Sequence, residues 1–403
     1  MNNINVYSND SDNNSKNDDF FRRKRLASID LMRGLVMVLM TLDHTRAFFS
    51  NVTFNPLDLE QSNIPLFLTR WITHLCPTSF IFLAGVATYL SLQRGKTKPE
   101  LTRFLLIRGF WLIFLELTIV SLAWTFYPGI SIAGVLWVIG WSMVVLALLI
   151  QLPISSLTIL GIILIVGHNL FDSIQAEQLG NFSWIWAFLH ERKIFLPMPG
   201  IRFFLVYPLI PWVGVMISGY VFGPVFTKTK AQRLVWLLYF GWGLIFSFVI
   251  LRGINIYGDP KPWSIQSTFG KTILSFINCN KYPPSLAYLL ITLGILFLIL
   301  YVFEIRKFSF LKPLIIFGRV PLFFYIIHLW LIHFSAILLA LPKYGFKAVT
   351  LPYLLSSRMP SGYGYDLHYV YVLWLVMIII LYPICCWLAN YKSKHKYWWL
   401  NYL

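Results

Sequence analysis

Two stretches of this chain place imidazole, carboxylate and guanidinium groups close together inside otherwise apolar sequence. In SIDLMRGLVMVLMTLDHTRAFF, Asp30 and Arg33 stand near one end and Asp43, His44 and Arg46 near the other. His44 follows Arg33 by eleven residues, about 16 Å along a helix at about 1.5 Å per residue. Asp43 and Arg46 are i,i+3 and can pair on one helix face. The next apolar stretch opens RWITHLCP, with Arg70 and His74 at i,i+4. An imidazole titrates at about 6.5 and can take and return a proton near neutrality. A neighbouring carboxylate can orient it and stabilise its cation, so Asp43, His44 and His74 are candidates for general-base or nucleophilic chemistry. An ion pair that caps a helix at a membrane interface would use the same residue types.

Further candidates lie downstream. FGRVPLFFYIIHLWLIH carries Arg319 at its start and Tyr325 and His328 at i,i+3 deeper in. An ionisable group in a membrane span is a functional candidate by default, although a histidine there can also serve only as a cross-helix hydrogen-bond donor. Arg46, Arg70 or His328 could stabilise an oxyanion. Glu116 is a further ionisable residue within an apolar stretch, and its partner is not evident from sequence. The loop 50–69 contains Asp58 and Glu60 and no Lys or Arg, a composition suited to a polar acceptor wall or to an ordinary solvated loop. YPLIPW, RGINIYGDPKPW and NCNKYPPS mix aromatic and amide residues with Asp259 and Lys281. Such mixtures line carbohydrate sites, and aromatic belts at membrane interfaces account for part of the Trp and Tyr content. No segment supplies three or four His, Cys or Asp at metal-ligand spacing, so no metal is expected. The four cysteines form no disulfide framework; a Cys76–Cys279 bridge is conceivable.

These groups need elements to hold them, and the composition says which. The 403 residues are 58% hydrophobic and only 12% charged, about half the charge of ordinary soluble domains. That excludes a soluble globular protein, extended disorder over most of the length and a small disulfide scaffold. The net charge of +17 would suggest nucleic acid in a soluble protein, but no nucleic-acid motif accompanies it. Basic residues instead mark cytoplasmic loops.

The reading is an all-α polytopic membrane helix bundle. A span needs about 20 apolar residues, and ten candidates meet that rule, within a range of nine to eleven: 29–49, 70–93, 104–126, 130–150, 154–170, 203–226, 234–254, 283–303, 318–341 and 368–391. With both termini cytoplasmic, eighteen Lys and Arg fall in inside segments against eight outside, as the positive-inside bias requires. Residues 1–25 form a disordered, basic-ended cytoplasmic tail, and 26–403 form one membrane domain. Seven arginines remain at or inside spans: Arg33, Arg108 and Arg319 towards the cytoplasm, and Arg46, Arg70, Arg202 and Arg252 towards the outside. More are present than snorkelling explains, so the interior is expected to hold a polar cavity open to both faces.

RLASIDLMRGLVMVLMTLDHTRAFF, RWITHLCPTSFIFLAG, LWVIGWSM, YPLIPWVGVM, NIYGDPKPW, KYPPSLAYLLITLG, FGRVPLFFYIIH and the terminal WWLNYL together resemble the heparan-α-glucosaminide N-acetyltransferase-like family of multipass membrane proteins, in its bacterial branch. The resemblance runs from about residue 25 to 403. It implies a transmembrane acyltransferase of the inner membrane. An acetyl group from cytosolic acetyl-CoA would pass to an amine or hydroxyl of a glycan or glycoconjugate on the outer side. Arg33, Arg108 and Arg319 would then neutralise the coenzyme A phosphates, since guanidinium suits bidentate phosphate contacts. Arg46, Arg70, Asp58, Tyr325, His328, Asp259 and Lys281 would face the acceptor or the oxyanion. The family's eukaryotic enzyme places a histidine in the first loop on the far side; residues 50–69 hold none, and His44 and His74, which flank that loop, take its place. Partners are membrane lipid, the coenzyme A thioester and a sugar acceptor, with homodimerisation open and nucleic acid excluded. The alternative is a multipass transporter or flippase of a polar or sugar-linked solute, against which stands the lack of paired interrupted segments in two halves.

Overall fold

A computed structural model describes residues 26–306, 309–345, 360–395 and 397–402. The expected tail 1–25 lies outside the described residues, as do Lys307, Lys347, Arg358 and Lys396 of the charge count. The protein is mostly helical. Its longer helices are α1 (Ala27–Phe49), α2 (Ile64–Gln93), α3 (Lys98–Thr125), α4 (Val135–Leu149), α5 (Ile154–Val166), α6 (Ile210–Thr227), α7 (Lys230–Ile254) and α8 (Leu286–Ile305). The short α9 (Lys312–Arg319), α10 (Pro321–Tyr344) and α11 (Leu367–Lys394) follow. Among the described residues seven helices are long and apolar enough to cross a membrane: α2, α3, α6, α7, α8, α10 and α11. α1 has 23 residues, but Asp30, Arg33, Asp43 and Arg46 interrupt its apolar run. α4 and α5 are shorter.

Each of the ten expected segments meets a helix, with three differences. The fourth and sixth begin as strands, which the all-α reading lacks. β1 (Ile130–Ala133) pairs in parallel with β3 (Ile201–Leu205), and β2 (Lys193–Met198) pairs antiparallel with β3. Arg202, expected at the outer end of the sixth span, stands exposed on β3. The ninth segment breaks at Val320, whose extended φ of −128° follows from the steric demand of Pro321 on the preceding residue. That break ends α9 and fixes Arg319 at its C-terminus.

Burial is distributed as a bilayer requires. α7 and α11 turn Tyr239, Phe246, Ile250, Ile379 and Trp387 outward, whereas α6 buries Trp212, Val215, Met216 and Ile217 completely. α1 sits at the centre, touching α2, α8, α9, α10 and α11. Leu26 and Leu400 line one cavity, so the two ends of the described chain share a face, here called the terminal face.

The α1·α9 contact sets the geometry of that face. A Cβ at Gly34 would lie 1.9 Å from the Leu314 carbonyl oxygen, and one at Gly318 would lie 1.9 Å from that of Asp30. Two backbones in direct contact need small residues at the crossing, and here the crossing places Arg33 and Arg319 together. Gly318→Ala must push the helices apart and should cost at least about 1–3 kcal/mol, read as a lower Tm of the purified protein. Gly243→Ala on α7, with nothing within 4 Å, should leave Tm unchanged or raise it. Equal Tm values for the two variants would refute the close-packing account.

Candidate functional site: three cavities in series

At the terminal face a cavity of about 1130 Å³ is lined by Arg33, Arg94, Arg108, Arg319 and Lys392, with Asp30 as the acid in its wall. α1, α3 and the end of α9 each bring one of the three arginines expected to act together. Arg33 donates to the Leu83 carbonyl (3.1 Å) and stands 4.0 Å from Asp30. Arg94 and Lys392 were counted in sequence only as loop and tail charge; their place beside the other three depends on α2 and α11 ending at the same rim.

A second cavity of about 270 Å³ shares Arg33, Ala87, Arg108 and Pro321 with the first. Its remaining wall is mainly apolar, including Met37, Leu105, Leu136 and Met143. A third, also about 270 Å³, shares Phe80, Val135 and Tyr325 with the second. These three residues form a collar between the middle and far cavities. Where the sequence reading expects one polar cavity open to both faces, the structure has a row of three chambers with common walls, the middle one mainly apolar.

The far cavity is lined by Asp43, His44, Arg46, Arg70, Glu116, Arg192, Tyr207, Lys281, Tyr282 and Tyr325 among others. Asp43 is held between two guanidinium groups: Oδ1 accepts from Arg46 at 3.0 Å and Oδ2 from Arg70. Asp43 bonds these two arginines and not His44, so it does not orient the imidazole as the sequence reading supposed. His328 does. Its Nδ1 lies 2.9 Å from the Phe324 carbonyl, and its Nε2 lies 2.8 Å from His44 Nδ1. A carbonyl only accepts, so His328 Nδ1 carries hydrogen, and in the neutral pair its Nε2 accepts from His44 Nδ1–H. This leaves the lone pair of His44 on Nε2, the arrangement a base needs. His328 is fully buried, and Trp124 packs edge-on against His44 with ring centroids 4.8 Å apart.

Other candidates fall elsewhere. His74, a candidate base alongside His44, is buried against Trp71 and Tyr288 and does not line the cavity. The helix turns at the 3₁₀ segment Ile72–His74, so Arg70 and Thr73 face the chamber and His74 faces away. Asp58 shapes its own loop, accepting from the Glu60 amide (3.0 Å) and Gln61 Nε2 (2.8 Å). The Glu60 amide and the Gln61 side chain hold its carboxyl below the ordinary range. Asp259 is scaffolding: it accepts from the Asn280 amide (2.9 Å) and Ser285 Oγ (2.6 Å). The buried Arg252, 3.8 Å from Asp259, donates to the carbonyls of Lys261 and Asn278. Together they fix the loop that delivers Lys281 and Tyr282 to the cavity. Cys76 and Cys279 are free. Among the described residues no group of three or more His, Cys, Asp or Glu could hold a metal ion.

Sequence reasoning left wall residues of all three chambers out of the site, among them Arg94 and Lys392 at the terminal face, Phe80 and Val135 of the collar, and Arg192, Tyr207 and Tyr282 of the far chamber. Tyr207 and Tyr282 do lie in the YPLIPW and NCNKYPPS clusters; Phe80 carried no local signal.

The fold and site define a class: a helical integral membrane protein with a basic chamber at one face and a paired histidine nearer the other. Residues 25–257, more than half of the chain, match the family model described as heparan-alpha-glucosaminide N-acetyltransferase, catalytic. The chain belongs to that family, which is one of membrane acetyltransferases. Comparison with curated proteins returns no match. The matched region carries Arg33, His44, Arg70, Arg108 and Glu116; Lys281, Arg319, Tyr325 and His328 lie beyond it.

The hydrogen-bond pattern fixes a tautomer. In protein labelled with ¹⁵N-histidine, His44 should show the Nδ1–H form, and His328→Ala should release it to a mixture of tautomers. A wild-type His44 protonated at Nε2 alone would contradict the pairing.

Proposed function

We propose that this protein moves an acetyl group from acetyl-CoA, bound at the terminal face, to an amine or hydroxyl of a glycan or glycoconjugate bound at the far face. The terminal face would be cytoplasmic and the membrane the inner one. The observation that carries the reading is the series of chambers, in which five cations at one end lead through an apolar middle to His44. Coenzyme A has this same order of parts: phosphates, an extended neutral arm and a thioester. The donor set fits, because Arg33, Arg94, Arg108 and Arg319 offer bidentate guanidinium contacts and Lys392 a point charge. When bound, acetyl-CoA supplies the activated acyl group.

The chain's own residues supply the rest. His44 Nε2 takes the proton from the attacking amine or hydroxyl. His328 holds the tautomer and shares the positive charge that forms on the imidazole pair. Arg46 and Arg70 keep a net positive charge after sharing Asp43, and Lys281 adds another, so a developing oxyanion in this chamber meets cations in a low-dielectric setting. The collar of Phe80, Val135 and Tyr325 restricts water between the chambers, which protects a thioester from hydrolysis.

Two measurements test this. Binding of acetyl-CoA to purified protein should weaken about tenfold for Arg108→Ala and for Arg319→Ala, or about 1.4 kcal/mol each. His44→Ala should bind acetyl-CoA normally and lose transfer to glucosamine-terminated oligosaccharides by at least about a hundredfold. Unchanged binding in both arginine variants, or normal transfer by His44→Ala, would refute the assignment. A carrier would instead be stabilised by its solute and show no acetyl transfer.

A further inference from the structure

Glu116 is the buried carboxyl of the far chamber that the reading above leaves unused. It has no exposed surface and sits at the start of a π-helical turn, Glu116–Val120, within α3. Such turns widen a helix and often mark functional positions. Ser121 Oγ donates to the Glu116 carbonyl (2.7 Å) and accepts from the Ile132 amide (2.8 Å), tying this turn to β1. The Glu116 carboxyl then reaches the head of α4. Oε2 accepts from the Leu136 amide at 2.9 Å. Oε1 has no hydrogen-bond partner among the described residues. A Cβ at Gly134 would come within 2.2 Å of Oε1, so only glycine admits the carboxyl at this place. The carboxyl therefore lies against 134–136, and Val135 in the middle of that run is a collar residue shared by the middle and far chambers.

We infer that Glu116 is a second catalytic residue, the acid that protonates the leaving thiolate at the collar. This rests on the acetyl-transfer reading and deepens it. A donor entering from the basic chamber reaches the collar with its sulfur on the near side of the carbonyl carbon, and His44 faces the acceptor on the far side. The acceptor nitrogen or oxygen bonds to the carbonyl carbon as His44 Nε2 takes its proton. The carbon–sulfur bond breaks, its electron pair stays on sulfur, and the carboxyl proton of Glu116 passes to it, giving free thiol. The proton on His44 then returns to the Glu116 carboxylate across the chamber that both line. Nothing is oxidised or reduced, and both residues regain their starting forms.

The test separates this role from a purely structural one. Glu116→Gln keeps an oxygen to accept the Leu136 amide but cannot donate a carboxyl proton. It should bind acetyl-CoA within about twofold of wild type and lose kcat by about a hundredfold or more. Glu116→Asp, which retains an acid, should keep more activity than Glu116→Gln. The deciding comparison uses the oxygen ester analogue of acetyl-CoA, whose alkoxide leaves far less readily than a thiolate. The ratio of wild-type to Glu116→Gln rate should be several-fold larger with the ester than with the thioester. Equal ratios for the two donors, or full activity of Glu116→Gln, would overturn the inference. A wild-type protein that transfers no acetyl group from acetyl-CoA would instead fail the functional reading itself, and this inference with it.

Discussion

A charge inside a low-dielectric bundle must be matched where it stands or turned into a water-bearing space, and α1 is where that constraint concentrates. It runs through the centre of the fold with Asp30 and Arg33 near one end and Asp43 and Arg46 near the other. Neither pair is self-contained. Arg33 also bonds the Leu83 carbonyl of α2, and Asp43 is shared with Arg70 of the same helix. Each end of α1 opens onto a chamber whose walls add further cations, Arg108 and Arg319 at one end and Arg70 and Lys281 at the other. The surrounding helices are arranged to give those charges a common hollow, and the lipid-facing surfaces of α7 and α11 remain apolar.

The middle of the molecule follows from the same constraint. Between the charged ends the wall is mainly apolar, and among the described residues only Phe80, Val135 and Tyr325 belong to both the middle and far chambers. They come from α2, α4 and α10, so the narrowing depends on three helices holding their spacing. α4 is held at its head by the Glu116 carboxyl and at Gly134 by lack of a side chain. α10 is held by the break at Val320 and by His328, whose hydrogen bond crosses to His44 of α1. His328 and the Glu116 carboxyl thus brace two of the three helices that set the narrowing, and a shift in either would disturb it.

Much of the helical plan was legible in the sequence, because a membrane span announces itself by length and apolarity. The strands were not: Ile130–Ala133 and Ile201–Leu205 adjoin long apolar runs and read as their continuation. The basic chamber was legible for Arg33, Arg108 and Arg319, since intramembrane arginines near one face have few other destinations. Asp43 was correctly seen to pair with Arg46, but its second oxygen goes to Arg70, a distant residue. His74 was misplaced because the 3₁₀ turn at Ile72–His74 rotates it away from the face shared with Arg70 under regular helical spacing.

The sequence by itself determined the membrane setting, the segments that become helices, and the inventory of groups able to carry charge or a proton. Those properties depend on composition and on distances along one element, which the chain order specifies. Only the tertiary structure decided that His44 pairs with His328, 284 positions apart, that Asp259 braces a loop, and that Glu116 meets the head of α4. These are contacts between elements, set by crossing geometry and rotation about each helix axis. A rotation of a fraction of a turn moves a side chain from a chamber to the packed core, and no pattern within a single helix fixes that angle.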